Sequence, residues 1–294
     1  MIIYHFRYDL NGYMHKFKRL LTTIPSIHWK REKYIDSSWD YNVILLDNTY
    51  TVRIPKHQDA VKRVLIDFCL LKFLSSKKKF QIPEPIYLNK KTQLAVYKAV
   101  QGRPVTRARY RKMNSRQKNN FAKSLGRFLK TLHTMPIKKI RGCKLPINNL
   151  TSINKTIFRD VAIIRPYINQ TQKFKLKVFL QERKSVLRNG ELVLTHGDLT
   201  SDHIFLNNKG LGIIDFSDSA ISDPAIDFPG FLCYGSDFVS KVLKYYHSKH
   251  SESLIARAQI YYKDIAIKLL AAAVRGSKLV SVQDAKRFFD IRLK

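Results

Sequence analysis

The sequence predicts an α+β chain in two parts, a small antiparallel β-rich lobe over 1–100 and a larger, mostly helical lobe over 101–294. Three observations predict it. YNVILL and TYTVRI alternate apolar and polar residues around Asp47 and Asn48, the period-2 pattern of a hairpin. Beyond Gly102 the apolar residues recur mainly at helical spacing. The exception is one island of β pattern at 192–216.

An amphipathic opening segment precedes a strand pair between Lys33 and Arg53. Val61, Val64, Leu65, Phe68, Leu71 and Leu74 then mark a helix over 57–74, entered just after Pro55. QIPEPIYL and LAVYKAVQG read as two further strands around the polar NKKTQ turn, and Gly102 and Pro104 end the pattern near the lobe boundary. Helices are expected near 114–134, 151–169, 171–188, 236–248, 252–274 and 281–292. No repeat of fixed period and no low-complexity linker interrupts them.

A chain of 294 residues, 45% of them hydrophobic, can bury a substantial core. Cys69, Cys143 and Cys233 are far apart, with no CxxC or Cys/His ligand spacing, which predicts reduced thiols and a cytoplasmic setting. MIIYHFRYDL is too short and polar for a signal peptide, and no apolar run reaches the roughly 18–20 residues of a membrane span. No transmembrane segment is therefore expected.

The net charge of +32 is the extreme feature. Such a surface attracts polyanions, which keeps nucleic acid among the candidate partners. The basic residues are nevertheless spread along the whole chain, as in RYRKMNSRQKNNFAK and SSKKKF, with no recognised nucleic-acid module. Charge by itself assigns no function.

The chemistry concentrates in LVLTHGDLTSDHIFLNNKGLGIIDFSDSAISDPAIDF. Asp198 follows one apolar strand and Asp215 ends another, so two carboxylates converge. Phosphoryl transfer needs this pairing: one carboxylate orients the attacking hydroxyl and takes its proton, and another holds Mg²⁺ against the phosphates.

HGDxxxxH, IIDF and SDPxxDF together resemble the aminoglycoside phosphotransferase family, and SDHI with DSAISDP is most similar to its 2''-phosphotransferases. The resemblance implies a bilobal protein-kinase-like fold, with a small antiparallel β-sheet N-lobe and a larger, mostly helical C-lobe. It implies ATP or GTP as donor, Mg²⁺ as cofactor, and a small-molecule hydroxyl, such as an aminoglycoside's, as acceptor. By position Asp198 becomes the catalytic carboxylate and Asp215 the main metal ligand. His203 stands where most relatives carry a metal-binding Asn.

Arg53 falls at the phosphate-binding lysine of that family and Asp67 at its partner glutamate, while Lys56 is a weaker candidate for the same task. The nucleotide-covering loop would be IDSSWDYNV, where Ser37 and Ser38 replace glycines, none occurring between Gly12 and Gly102. Tyr97 to Gly102 matches the hinge, whose backbone at Lys98 and Val100 would read the purine edge. His196 is expected to brace the loop, with Asp223 and Asp227 structural.

The acceptor stays open. FPGFLCYGSDF is apolar and the later helices are lysine-rich, with few acids such as Glu252 and Asp264, a poor lining for a polycation. A kinase of a sugar, amino alcohol or nucleoside is one alternative. A nucleotide-binding pseudokinase with a polyanion-binding basic surface is another.

Overall fold

The computed structural model describes residues 20–22, 24, 27–35, 38–76, 81–247 and 251–294, so the opening segment and Ser37 lie outside the described residues. Two compact units emerge: Met1–Val64 with Glu84–Ala99, and Leu65–Pro83 with Val100–Lys294. Where one division near residue 100 was expected, residues 65–83 belong with the second unit.

The first unit is a five-stranded antiparallel sheet in the order β1-β2-β3-β5-β4. Its strands are β1 (Glu32–Ile35), β2 (Tyr41–Leu46), β3 (Tyr50–Pro55), β4 (Glu84–Leu88) and β5 (Ala95–Lys98). The β2–β3 turn works because Asp47 and Asn48 adopt positive φ, 49° and 54°, which short polar side chains tolerate. Alternation then sorts the faces. Ile44, Leu46, Val52, Ile54 and Val96 bury one face against Leu21, Ile24, Ile27 and Leu94. Each such side chain contributes about 1.5–3 kcal/mol on burial. The opposite face carries Arg53, which pairs across the sheet with Val43 and Ala95.

Helix α1 (Gln58–Ser75) begins in the first unit and ends in the second. In the second unit Cys69 and Cys143 form a disulfide with Cα atoms 5.4 Å apart. This corrects the expectation of three reduced thiols, and with it the argument for a reducing compartment. A sequence separation of 74 residues hid the pair, because only the fold brings α1 to the 3₁₀ turn Ile137–Cys143. Cys233 remains free. Ile213 N also donates to Gln81 O at 2.9 Å, so 65–83 is tied to the second unit at both ends.

The helices of this unit are α2 (Arg107–Arg111), α3 (Ser115–His133), α4 (Leu150–Ile164), α5 (Gln170–Val186), α6 (Ser236–Tyr246), α7 (Ser251–Val274) and α8 (Val282–Arg292). Asn114, Asn149 and Asn169 accept from backbone N–H groups at the starts of α3, α4 and α5. Helix α4 stops at Ile164, five residues short of expectation, because Pro166 turns the chain into a 3₁₀ segment. Gly126 lets α3 meet α6 closely, since a Cβ there would lie 2.5 Å from Val242 O. The apolar stretch FPGFLCYGSDF proves to be core: Phe231 and Tyr234 pack edge-on against Phe238, which also meets Tyr110 edge-on and stacks on Phe121.

Short strands complete this unit: β6 (Arg103–Pro104), β7 (Ile147–Asn148), β8 (Val193–Thr195), β9 (Ile204–Asn207), β10 (Gly210–Ile213) and β11 (Ala220–Ser222). They form two three-stranded sheets, β10-β9-β6 and β7-β11-β8. The chain therefore changes sheets between β8 and β9, and again after β10. Among the described residues no helix is long and apolar enough to cross a membrane.

Candidate active site

The first sheet change is the HGDLTSDH segment. Gly197 sits at φ +87°, and a Cβ there would lie 2.2 Å from Asp218 O, so this position accepts only glycine. Asp227, buried, clamps the bend from below. Its Oδ2 accepts from His196 N and its Oδ1 from Gly197 N, both at 2.8 Å. His133 Nε2 donates to the same Oδ2 at 3.0 Å, and His133 Nδ1 lies 2.8 Å from the Tyr246 hydroxyl. Burial raises the Tyr246 pKa to about 12, so it stays a neutral phenol. Burial also works against the Asp227 carboxylate, but the hydrogen bond and charge of His133 and the contacts to His196 outweigh it, and the Asp227 pKa falls.

His196 has its tautomer fixed by its surroundings. Nε2 faces the Ile214 carbonyl at 3.0 Å and must donate, while Nδ1 accepts from Asp198 N at 3.3 Å. Only the neutral ring satisfies both, and burial lowers its pKa against the pull of nearby carboxylates, Asp227 foremost. His196 thus braces the loop, joining Asp198 to the segment after β10 that carries Asp215.

Asp198, His203 and Asp215 come together at the open end of this frame. His203 Nδ1 donates to Asp198 O at 2.7 Å and lies 3.4 Å from Asp198 Oδ2. Its Nε2 is 3.7 Å from Asp215 Oδ2. With the hydrogen on Nδ1, the Nε2 lone pair points toward the Asp215 side. Asp215 itself occupies φ +67°, and Ser217 Oγ donates to its Oδ1 at 2.7 Å. The Asp198 side chain is 45% exposed and that of Asp215 27%, so both carboxylates remain accessible.

Among the described residues no three His, Cys, Asp or Glu side chains form a ready metal cage. Asp215 with His203 offers two donors on one side. The Asp215 oxygen fits a hard cation that brings most of its ligands as water and phosphate oxygens, and the His203 nitrogen, a poorer direct ligand, suits it through a bound water.

Arg53, Ser38 and Lys98 belong to the first unit. Arg53 is buried, its guanidinium carbon 5.4 Å from the Tyr41 ring centroid and 5.5 Å from that of Tyr97. Ser38 Oγ accepts from Tyr41 N at 3.4 Å, and Lys56 Nζ donates to Ser38 O at 2.7 Å, so Lys56 holds the loop. Asp40 ties the loop's other side, accepting from Arg63 Nη1 at 2.8 Å and lying 3.1 Å from His57 Nε2. The Lys98 side chain is exposed at the end of β5.

Asp67 and Val100 belong to the second unit. Asp67 is fully buried in α1, and Val100 packs over Gly212, whose added Cβ would lie 2.4 Å from Val100 Cγ1. Asp223 is committed inside the unit, accepting from Arg257 Nε at 2.9 Å, Tyr261 OH at 3.0 Å and Ala225 N at 2.9 Å. Sequence reasoning missed His133 and Tyr246, which lie in helices and carry no local signal. Ser217 was readable beside the IIDF motif.

A model of the phosphotransferase enzyme family matches residues 33–263. Among solved structures, the GDP and kanamycin complex of APH(2'')-IIIa superposes with a TM-score of 0.85 at 22% identity, covering 95% of this chain and 98% of that one. The gentamicin complex of APH(2'')-IIa gives a TM-score of 0.77 at 22% identity, over 98% of this chain and 97% of that one. A type I macrolide 2'-phosphotransferase gives 0.75 at 20% identity, over 98% and 99%. The fold is the protein-kinase-like α+β fold of these enzymes.

Proposed function

Because this chain belongs to the phosphotransferase enzyme family, we propose that it moves the γ-phosphate of ATP or GTP onto a hydroxyl of a small molecule. The observation that carries this reading is the cluster of Asp198, His203 and Asp215 on a loop held by Asp227. In the reaction the acceptor oxygen bonds to the γ-phosphorus as the bond to the β,γ-bridging oxygen breaks. The hydroxyl proton passes to the Asp198 carboxylate. His203, donating to Asp198 O, keeps that carboxylate's backbone in place. Mg²⁺, held by Asp215 with His203, would supply charge neutralisation on the donor phosphates.

On the nucleotide side, Arg53 and Asp67 take the lysine and glutamate roles of kinase-like enzymes. Arg53 lies near two aromatic rings, and its planar fork suits phosphate oxygens. Ser38 lies in the covering loop, and the backbone near Lys98 and Val100 reads the purine.

For the acceptor, the choice lies between a polycation such as an aminoglycoside and a metabolite bearing fewer ammonium groups. Asp223 and Asp227 are spent on internal partners, so neither carboxylate is available to pair an ammonium group, which favours the less cationic acceptor.

Mg²⁺-dependent turnover of ATP and GTP, with panels of aminoglycosides, macrolides and metabolite alcohols, tests the proposal. An acceptor should stimulate turnover, and Asp198→Asn should lower kcat by about three orders of magnitude or more while nucleotide still binds. A folded wild type that neither binds nor turns over either nucleotide refutes it and moves the pseudokinase reading ahead.

A further inference from the structure

Helices α4 and α5 both pack on α7, and between them lies a groove of about 880 Å³. None of the residues at the Asp198 cluster lines it. Its floor is apolar, with Leu150 and Val161 from α4 and Leu176 and Leu180 from α5. Phe158 and Phe174 flank it, 54% and 67% exposed, far more than rings of that size normally are. Arg165, Lys173, Lys177, Arg183 and Lys184 supply five cations, and no carboxylate is among the lining residues described.

One of those cations is incomplete. Arg183 is only 3% exposed. Its Nε donates to both oxygens of Asp264 at 3.0 and 3.1 Å, and its Nη1 to Asn154 Oδ1, another lining residue. Its Nη2 is buried with no hydrogen-bond partner among the described residues. Buried N–H groups of a guanidinium are strongly driven to find an acceptor.

We propose that this groove binds an amphiphilic monoanion, a long-chain carboxylate. Its tail would lie along the apolar floor between Phe158 and Phe174, and its carboxylate would accept from Arg183 Nη2 with the lysines beside it. The volume suits a ligand of this size. A monoanion is preferred to a dianion because the Asp264 carboxylate already shares the Arg183 guanidinium and would repel a second negative charge. A concave groove with a buried donor selects a single molecule over a flat anionic bilayer, the other surface that exposed aromatics and lysines would suit.

Titration of the full chain with cis-parinarate, a fluorescent long-chain carboxylate, tests this. Binding should saturate, be displaced by dodecanoate, and be little affected by dodecanol or acetate. The doubly charge-reversed Lys177→Glu/Lys184→Glu and the single variant Phe174→Asp should each weaken it about tenfold or more. All these positions are exposed, so thermal unfolding should not change. Lys90→Glu/Lys91→Glu, in the surface turn before β5, should bind as wild type does. The proposal falls if wild type fails to bind, if dodecanol competes as well as dodecanoate, or if the control pair weakens binding equally. It also falls if phosphatidylglycerol vesicles bind the protein while monomeric parinarate does not.

Discussion

The two parts of the proposed site are held in different ways. Around Asp198 the chain is gripped by buried hydrogen bonds to its own backbone, with Asp227 taking two N–H groups and His196 linking Asp198 N to the Ile214 carbonyl. Around Ser38 the loop is pinned from its edge by exposed or half-exposed charges, Lys56, His57 and Arg63. Buried polar networks are strong when complete and severe when broken, whereas surface ion pairs contribute little and yield to salt. The catalytic loop should therefore behave as a rigid part of the core and the covering loop as an adjustable one.

The largest test removes the grip. Asp227→Ala leaves two backbone donors and His133 without their acceptor, and should cost about 3–5 kcal/mol in denaturant unfolding. Gly197→Ala should follow, losing about 1–3 kcal/mol for its backbone conformation alone, with activity falling further because Asp218 must move. A variant that unfolds as wild type does would show that the loop is not fixed as described.

Reduction comes next. Opening Cys69–Cys143 should lower stability by about 2–5 kcal/mol, and Cys143→Ser should show the same loss while becoming indifferent to dithiothreitol. Equal melting temperatures with and without reductant would remove the disulfide from the account.

Acid sharpens the comparison further. His196 is neutral in the fold with a lowered pKa, so the unfolded chain takes up its proton first. Its contribution is full above the unfolded value of about 6.5 and lost as pH falls below it. Asp227, also lowered, adds a second loss below about 4. Melting temperature should therefore decline from pH 7 to 5, and substituting His196 should flatten that decline. The smallest effect belongs to the covering loop. Arg63→Gln should cost no more than about 1 kcal/mol, shrink further in high salt, and raise the nucleotide KM more than it lowers kcat.

How far the sequence revealed this contrast depended on range. The hairpin over 41–55, α1, α3 and the β island were legible because period-2 and helical patterns are local. HGDxxxxH and IIDF marked Asp198, His203 and Asp215 for the same reason. The two-residue strands β6 and β7 are too short to show any period, and β1 was folded into its neighbour. The clamp was half visible: Asp227 stood out as a motif residue, but His133 reaches it across 94 residues from the last turn of an ordinary amphipathic helix. Cys69 and Cys143 were invisible as a pair for the same geometric reason.

Asp227 grips peptide N–H groups, and every residue except proline has one. The side chains of Thr200, Ser201 and Asp202 can therefore be exchanged without loosening the bend beneath them. The loop is thereby divided between a part that inheritance must preserve and a part that it can rewrite. A lineage facing a new acceptor could change what the loop presents while keeping how the loop is held.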